Sequence, residues 1–406
     1  MLYLAIDQHS KQLTVNVRDE AGNVLRRKQV STRPEATREF LEELRQQARP
    51  GGYVTIVEVC GFNDWLLDLL PQCGCREIVL VQPAQRAIRK TDRRDANQLG
   101  ETLWVNRQRL LAGERVNGLR RVTIPSPTER DNRRLAALRR STGRELTRVL
   151  NRVRALLRRQ NLQHACPTKS IQSQAARAWL KELPLSPLDR FERDQLLERW
   201  ELLARQRTAL ETELTRRADA SPAAALLRTL PGAGAFIALG LAAHVGDVRR
   251  FDRPRSLANY LGLTPQCHNT GESGQRLGSI TKQGSSLARF LLGQLVLHVL
   301  KKDAVMRAWY VQLKRRRGSK IAQVAVMRRL ATIVWHLLTR GESYRIGGRP
   351  RGAATPQPAS LPSETQPVPP RRVKKSAPKS AGKKKSAPKS TRRTKPSRTL
   401  GDDAPS

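Results

Sequence analysis

Short apolar runs alternate with turn-forming residues over the first hundred positions of the chain. Three runs of strand length come first, separated by polar turns: Leu2–Asp7, Gln12–Val17 and Val24–Val30. Thr32-Arg33-Pro34-Glu35 then opens a helix that continues to about Ala48. A strand, a helix and a strand follow: Tyr53–Val59, Asp64–Leu70 and Glu77–Val81. The pattern predicts an α/β domain over residues 1–105.

The order of these elements is that of an RNase H-like fold, with three strands, a helix and then alternating strands and helices. In that fold the first strand and the strand after the first helix lie side by side. Asp7 and Glu58, which fall at the ends of these two strands, are therefore predicted to be neighbours at one edge of the sheet.

Longer helical patterns begin near residue 128. The first carries an apolar seam at helical spacing, formed by Leu135, Leu138, Leu146, Val149, Val153 and Leu156. The second follows a break at Pro184 and Pro187 and has a seam of its own, formed by Leu196, Leu197, Trp200, Leu203, Leu210 and Leu214. We predict two long antiparallel helices, a coiled-coil arm over residues 128–218.

Residues 222–345 predict a mostly α-helical C-terminal domain. It opens with Leu230-Pro231-Gly232-Ala233-Gly234, which is typical of a tight turn between helices or of a helix-hairpin-helix that approaches a phosphate. A Gly-rich polar stretch, His268 to Gly284, precedes two apolar helices around Leu287–Leu300 and Ile321–Leu338. Such a stretch is either an ordinary polar turn, a phosphate-binding loop or the source of a nucleophilic hydroxyl.

Charge identifies the class of partner. The 406 residues include 76 basic and 35 acidic ones, a net charge of +41, which favours nucleic acid over an anionic membrane. Residues 346–406 are rich in Pro, Ser, Lys and Ala and predict a disordered tail; from Arg349 onward they carry +12 and leave +29 to the rest.

We find no apolar run near the ~18 residues of a membrane span and no signal peptide. Scattered cysteines indicate reduced thiols without a zinc site, and we expect a cytoplasmic, nucleoid-associated protein.

Four acids stand where an acid is costly or unusual. Asp7 ends one apolar run, Glu58 lies in another, and Asp92 and Asp95 lie three residues apart in a very basic segment. Each alone is as well explained by a turn or by a neighbouring arginine. A buried carboxylate is costly unless it is paired or binds a metal ion. Together, acids from two strands and one helix can converge on hard cations, and two cations about 4 Å apart can cleave phosphodiesters.

Basic side chains supply candidate contacts with nucleic acid. They are Lys90, Arg93, Arg94, Arg140, Arg144, Arg148, Arg152, Lys282 and Lys320. The four between residues 140 and 152 recur every fourth position, and such like-charge pairs destabilise a helix by about 0.2–0.5 kcal/mol each. This arginine ridge is either a solvated face neutralised by Glu145 and by acids of the second long helix, or a contact with a nucleic-acid backbone. The excess of arginine favours the backbone, and the acids in question are Glu198, Glu201, Glu211 and Glu213.

Several strings together resemble the DEDD-type insertion-sequence transposases, the bridge-RNA-guided recombinases. The resemblance spans about residues 1–345. It is carried by Ala5-Ile6-Asp7, Val57-Glu58, Lys90-Thr91-Asp92-Arg93-Arg94-Asp95-Ala96, Leu230-Pro231-Gly232-Ala233-Gly234, Phe251, Leu257-Ala258-Asn259-Tyr260-Leu261-Gly262-Leu263-Thr264-Pro265, Ile280-Thr281-Lys282-Gln283-Gly284, Gly318-Ser319-Lys320 and Val324-Ala325-Val326.

The resemblance implies a RuvC-like N-terminal domain, the Holliday-junction-resolvase version of the RNase H fold. In it, Asp7, Glu58, Asp92 and Asp95 would bind Mg²⁺. It also implies a C-terminal transposase domain with a serine nucleophile, and a coiled coil that builds a homo-oligomer, either a dimer or a tetramer. In that family the serine attacks DNA, forms a 5′-phosphoserine bond and frees a 3′-hydroxyl. A structured guide RNA pairs with donor and target DNA.

The chain departs from the family at the nucleophile. Thr270-Gly271 stands where the family usually has Ser-Gly, and threonine keeps the hydroxyl but adds a methyl group. Ser273 is the alternative nucleophile. The sequence is also compatible with two functions other than recombination. One is a metal-dependent nuclease that cuts branched DNA with water, and the other is a non-catalytic nucleic-acid-binding protein.

Overall fold

A six-stranded mixed sheet organises the N-terminal part of the chain. Its strands are β1 (Leu2–Gln8), β2 (Gln12–Arg18), β3 (Val24–Ser31), β4 (Tyr53–Glu58), β5 (Cys75–Gln82) and β6 (Arg120–Arg121), in the order β3-β2-β1-β4-β5-β6. β1 pairs antiparallel with β2 and parallel with β4. The predicted strands therefore agree with the observed ones to within two residues, except that β6 was not predicted.

The computed structural model describes residues 1–82, 92–270 and 273–347, and leaves out the side chains of residues 92–95, 267–270 and 273–277. Lys90 and almost all of the predicted tail, 346–406, lie outside the described residues. Residues Met1–Arg349 form one compact unit, within which the predicted domain boundaries stay predictions. Among the described cysteines, four are free thiols: Cys60, Cys73, Cys75 and Cys166.

Helices cover both faces of the sheet. α1 (Pro34–Gln47) and α2 (Asp64–Gln72) pack on one face against Leu4, Ile6 and Leu13. α3 (Asp92–Val105) and α4 (Arg107–Leu111) pack on the other face against Ala5 and Ile56. Because side chains alternate along a strand, each strand of the sheet centre supplies both hydrophobic cores.

Two helices of 33 residues each form the arm, α5 (Pro127–Arg159) and α7 (Pro187–Asp219). They run antiparallel, and the buried seam predicted from the pattern joins them over most of its length. Leu138 is an exception at 50% exposure, because Ala136 on the same helix faces the core instead. A short helix, α6 (Gln174–Glu182), lies between them in sequence and was not predicted. Their assignment as a coiled coil stays a prediction.

Six helices and a hairpin make up the C-terminal part within residues 222–347. The helices are α8 (Pro222–Arg228), α9 (Ala235–Val245), α10 (Pro254–Tyr260), α11 (Ser286–Lys302), α12 (Ala304–Arg317) and α13 (Ser319–Arg340). The hairpin comprises β7 (Pro265–Thr270) and β8 (Ser273–Ile280). The polar stretch is thus largely β-structure, which its composition did not reveal.

Helix α13 is long and apolar enough, by length and composition alone, to cross a membrane. The expectation that no stretch approaches this length was therefore wrong. A core helix satisfies the same criterion, and Ala322, Val326, Leu330 and Val334 of α13 are buried inside the protein. Since α10, α11 and α12 pack against it, α13 forms the centre of the helical core.

Candidate functional site

The carboxyl ends of β1 and β4 bring two of the predicted acids together. Ile6 pairs with Val57 in the parallel register, so Asp7 and Glu58 occupy the next positions on strands about 5 Å apart. By strand alternation, both side chains belong to the sheet face that α3 covers. The Asp7 carboxylate is 15% exposed, and Glu58 is half-buried.

Helix α3 runs antiparallel to β1 across this face. The Asn16 amide of β2 donates to Asn97 at 2.6 Å, and Arg18 of β2 pairs with Glu101 at 2.7 Å. From Asn97 back to residue 92 the helix rises about 7 Å, which equals the advance from Asn16 to residue 14 along β2. Residue 14 lies opposite Asp7. The first turn of α3 therefore reaches the edge of the sheet that carries Asp7.

That first turn contains Asp92 and Asp95, whose side chains lie outside the described part of the structure. Their spacing places them on the same stripe of α3 as Ala96 and Leu99, which are buried against the sheet. The backbone thus assembles the four acidic positions at one place.

His9 contacts the acidic site through Asp7. Its Nε2 donates to Oδ2 of Asp7 across 3.1 Å. Thr14, opposite Asp7 on β2, is buried, and within the described residues its hydroxyl has no hydrogen-bond partner. The one signal for His9 in the sequence was its place two residues after Asp7.

Carboxylate oxygens are the ligands that hard divalent cations prefer, so the donor chemistry of Asp7 and Glu58 fits such an ion. Two adjacent carboxylates repel each other unless a proton or a cation intervenes. Among the described side chains, no three of His, Cys, Asp or Glu lie close enough to hold a metal ion; that set excludes Asp92 and Asp95.

A cleft leads from this edge of the sheet to the helical part of the chain. The volume of the cleft is about 490 Å³. Its lining includes Val59, which directly follows Glu58, and on the helical side Gly284 and Ser285. A second cavity of about 800 Å³ shares much of this lining. Arg120 donates to Gln283 across the cleft at 3.1 Å. The shared lining comprises Arg120, Arg121, Val122, Thr123, Arg250, Phe251 and Tyr260.

The cleft is basic on both walls. Arg120 and Arg121 come from β6, while Arg250 comes from the helical side. The Arg250 guanidinium lies over Phe251 and Tyr260, at 4.4 and 4.5 Å from their ring centres. These contacts fix its position at the cleft wall. The arrangement suits a polyanion such as a nucleic-acid strand.

The hydroxyl candidates Thr270 and Ser273 form the last residue pair of the β7–β8 hairpin, and their side chains are not described. The pair Pro265 and Ile280 closes the base of the hairpin. Five residues of strand span about 17 Å, so the Thr270–Ser273 pair lies about that far from the Pro265–Ile280 pair. The backbone thus places residues 270 and 273 side by side at one end of the hairpin.

A close backbone contact holds the base of this hairpin. A Cβ on Gly284 would lie 2.1 Å from the Tyr260 carbonyl oxygen, so only glycine fits there. Gly262 has a φ of +68°, and its own Cβ would lie 2.7 Å from the Gln283 nitrogen. Lys282 donates its backbone N–H to the Gly262 carbonyl at 3.1 Å. Residues 260–262 and 282–284 therefore pack closely together and form a brace at the base of the hairpin.

Of the arginine ridge, Arg144, Arg148 and Arg152 are exposed, and none forms an ion pair within the described residues. Arg140 instead stacks on Phe290 at 4.7 Å and contacts Ser286 of α11. Three of the four proposed counter-ions on α7 pair with other residues: Glu201 with Lys181, Glu211 with Arg139 and Arg207, and Glu213 with Arg216 and Arg217. The fourth, Glu198, is exposed and forms no ion pair within the described residues. Three ridge positions are thus available to an external anion.

The other basic candidates are dispersed. Lys282 is exposed at the hairpin base with a φ of +54°, and Lys320 is exposed in the first turn of α13. Arg93 and Arg94 lie in the first turn of α3, beside the acidic positions, and their side chains are not described. Among the basic candidates that the structure describes, Arg93 and Arg94 alone lie beside the acids by backbone position.

Comparison with known proteins defines the class. A transposase family model of the DEDD type matches residues 4–161, and the model of the transposase IS116/IS110/IS902 family matches residues 224–311. The chain is similar to the transposase for insertion sequence element IS1111A of Coxiella burnetii, at 29% identity over 308 residues, 72% of this chain and 79% of that protein.

A second relative is the transposase for insertion sequence element IS1328 of Yersinia enterocolitica. It is 27% identical over 154 residues, which is 37% of this chain and 46% of that protein. The two family models together match more than half of the chain, one on the sheet and the first arm helix α5 and the other on the helical part. The chain belongs to the IS116/IS110/IS902 family of insertion-sequence transposases.

We predict that Gly284→Ala destabilises the protein and that Gly293→Ala does not. Alanine at residue 284 must displace the Tyr260 carbonyl, and such overpacking costs about 1–3 kcal/mol. Gly293 in α11 has no atom within 4 Å of a built Cβ, so alanine there should stabilise the helix by about 0.5–1 kcal/mol. Urea unfolding of both variants measures the difference. Equal free energies of unfolding for the two variants would contradict the close contact between Gly284 and the Tyr260 carbonyl.

Proposed function

We propose that this transposase cuts and rejoins DNA with divalent metal ions, taken to be Mg²⁺, held by Asp7, Glu58, Asp92 and Asp95. The observation that carries the proposal is the parallel pairing of β1 with β4, which sets Asp7 beside Glu58. Support comes from α3, whose first turn reaches the same edge, and from the DEDD-type family model over this region. When bound, the metal would polarise the phosphate and stabilise developing charge on its oxygens.

Other residues of the chain position the DNA and orient the metal-binding carboxylates. The cleft arginines, represented by Arg120 and Arg250, position the DNA backbone between the sheet edge and the helical part. The half-buried setting of Asp7 and Glu58 restricts water around the phosphate. His9 orients the Asp7 carboxylate through its hydrogen bond.

The proposed nucleophile is the hydroxyl of Thr270 or of Ser273. Its oxygen attacks the phosphorus, a bond from oxygen to phosphorus forms, and the bond from phosphorus to the 3′-oxygen of the DNA breaks. The hydroxyl proton passes to that 3′-oxygen, which leaves as a 3′-hydroxyl. Because one phosphoester replaces another, the reverse attack by a new 3′-hydroxyl can rejoin strands without an external energy source.

We further propose that a guide RNA and a homo-oligomer take part. The exposed Arg144, Arg148 and Arg152 support an anionic partner along the arm, since α7 supplies them no counter-ions. Glu213 pairs with Arg216 and Arg217 of its own helix, and these hydrogen bonds lower its pKa to about 2. We propose that the protein acts on DNA in the cytoplasm.

Asp7→Asn and Glu58→Gln should each lower metal-dependent DNA cleavage by about 100-fold or more, because each removes a charged oxygen ligand while keeping the side-chain shape. Binding of DNA and RNA in the absence of metal should be unchanged. Cleavage of a labelled junction substrate and a filter-binding assay measure the two effects.

The matched control is Glu20→Gln, an exposed acid at the far end of the sheet, 78% accessible at its side chain. It should cleave as the parent protein does. Full cleavage by both Asp7→Asn and Glu58→Gln would exclude these acids from catalysis.

The hydroxyl nucleophile predicts a covalent adduct between protein and DNA. Thr270→Ala or Ser273→Ala, whichever removes the true nucleophile, should abolish the adduct, while the other variant retains it. Thr270→Ser keeps a hydroxyl at position 270 and should retain the adduct in either case. Denaturing gels of protein with end-labelled DNA detect it. Cleavage without any adduct in the parent protein would favour a nuclease that uses water.

A further inference from the structure

A basic groove of about 790 Å³ lies between α10, α12 and α13. Trp309 and small side chains such as Ala258 and Ala325 contribute to its lining, which contains no acidic residue. Four arginines face it, two from the start of α10 and two from α13: Arg253, Arg255, Arg328 and Arg329. No part of this groove coincides with the lining of the catalytic cleft.

These arginines have no anionic partner in the part of the chain that the structure describes. Arg328 is half-buried, yet its guanidinium makes no hydrogen bond among the described residues. Arg329 lies over the Trp309 ring at 5.0 Å, which fixes its position. The nearest acid in sequence, Asp252, is 4.0 Å from Arg115 on the other side of α10. The groove therefore holds a concentrated positive charge that the described residues do not neutralise.

Several like charges around one groove repel each other, and an anion bound among them relieves that repulsion. Guanidinium groups bind phosphates through paired N–H donors, and four of them match a chain of phosphates better than a single small anion. We propose that this groove binds the sugar–phosphate backbone of a nucleic-acid strand. The proposal rests on the proposed function to the extent that the protein acts on nucleic acid.

Helix α10 gives the groove its relation to the catalytic cleft. Its residues Ser256 and Asn259 line the cavity of about 800 Å³ that adjoins the cleft, whereas Arg255 and Ala258 line the groove. The same helix thus separates two basic surfaces. A strand that leaves the cleft can continue around α10 into the groove, so the groove extends the contact with nucleic acid beyond the reacting phosphate.

The test compares two full-length variants with equal loss of charge. In the groove variant, Arg253, Arg255, Arg328 and Arg329 are each replaced by Gln. In the matched control, four exposed arginines of the N-terminal part are replaced by Gln, none of which forms an ion pair within the described residues: Arg27, Arg33, Arg38 and Arg49. Affinity for a 30-nucleotide RNA, the same DNA strand and its duplex is measured without metal over a range of salt concentrations.

We expect the groove variant to bind 10-fold more weakly or worse at about 0.1 M salt, and its plot of log affinity against log salt to be shallower by about 3. The control should stay within about twofold of the parent. A loss with RNA alone assigns the strand as RNA, and a loss with DNA alone assigns it as DNA. Equal effects of both variants would overturn the proposal, because net charge alone would then explain binding.

Thermal unfolding checks that the groove variant is folded. If it is not, the double variant Arg253→Gln with Arg329→Gln removes only exposed side chains, and it should lower the slope by about half as much. Since binding is measured without metal, an inactive Asp7→Asn protein should bind like the parent. Failure of the catalytic proposal and failure of the groove are therefore distinguishable.

Discussion

The parallel pairing of β1 with β4 is the constraint on which the rest of the candidate site depends. A parallel pair aligns the carboxyl ends of its strands, and the register of Ile6 with Val57 makes Asp7 and Glu58 neighbours. A shift of one residue would turn one of them to the opposite face, towards the core of α1 and α2. The apolar residues before both acids fix that register, because they must fill two different cores.

The same constraint positions the helical part of the chain. β5 continues the sheet beside β4, and β6 adds Arg120 and Arg121 next to β5. These arginines form one wall of the cleft, and Arg250 with its two aromatic neighbours contributes to the other. The sheet edge, the basic cleft and the braced hairpin thus form a continuous path along the protein, and α10 separates this path from the arginine groove.

Local patterns were sufficient to predict the sheet and the long helices. Alternation and turn residues determine strands within one or two residues, and the long-range neighbourhood of Asp7 and Glu58 followed from element order. β6 could not be predicted, because two arginines become a strand only by pairing with β5. The β7–β8 hairpin was not predicted, because its glycine and polar residues are typical of a loop. Leu138 fits the seam by spacing, yet packing turns Ala136 inward instead.

The most direct test of the central claim is the position of a bound metal. Crystals of the protein with Mn²⁺ in place of Mg²⁺ would locate the ion by its anomalous scattering. We predict an ion coordinated by carboxylate oxygens of both Asp7 and Glu58, at the end of the β1–β4 pair. An ion bound elsewhere, under conditions in which the protein cleaves DNA and with this sheet edge empty, would contradict the account.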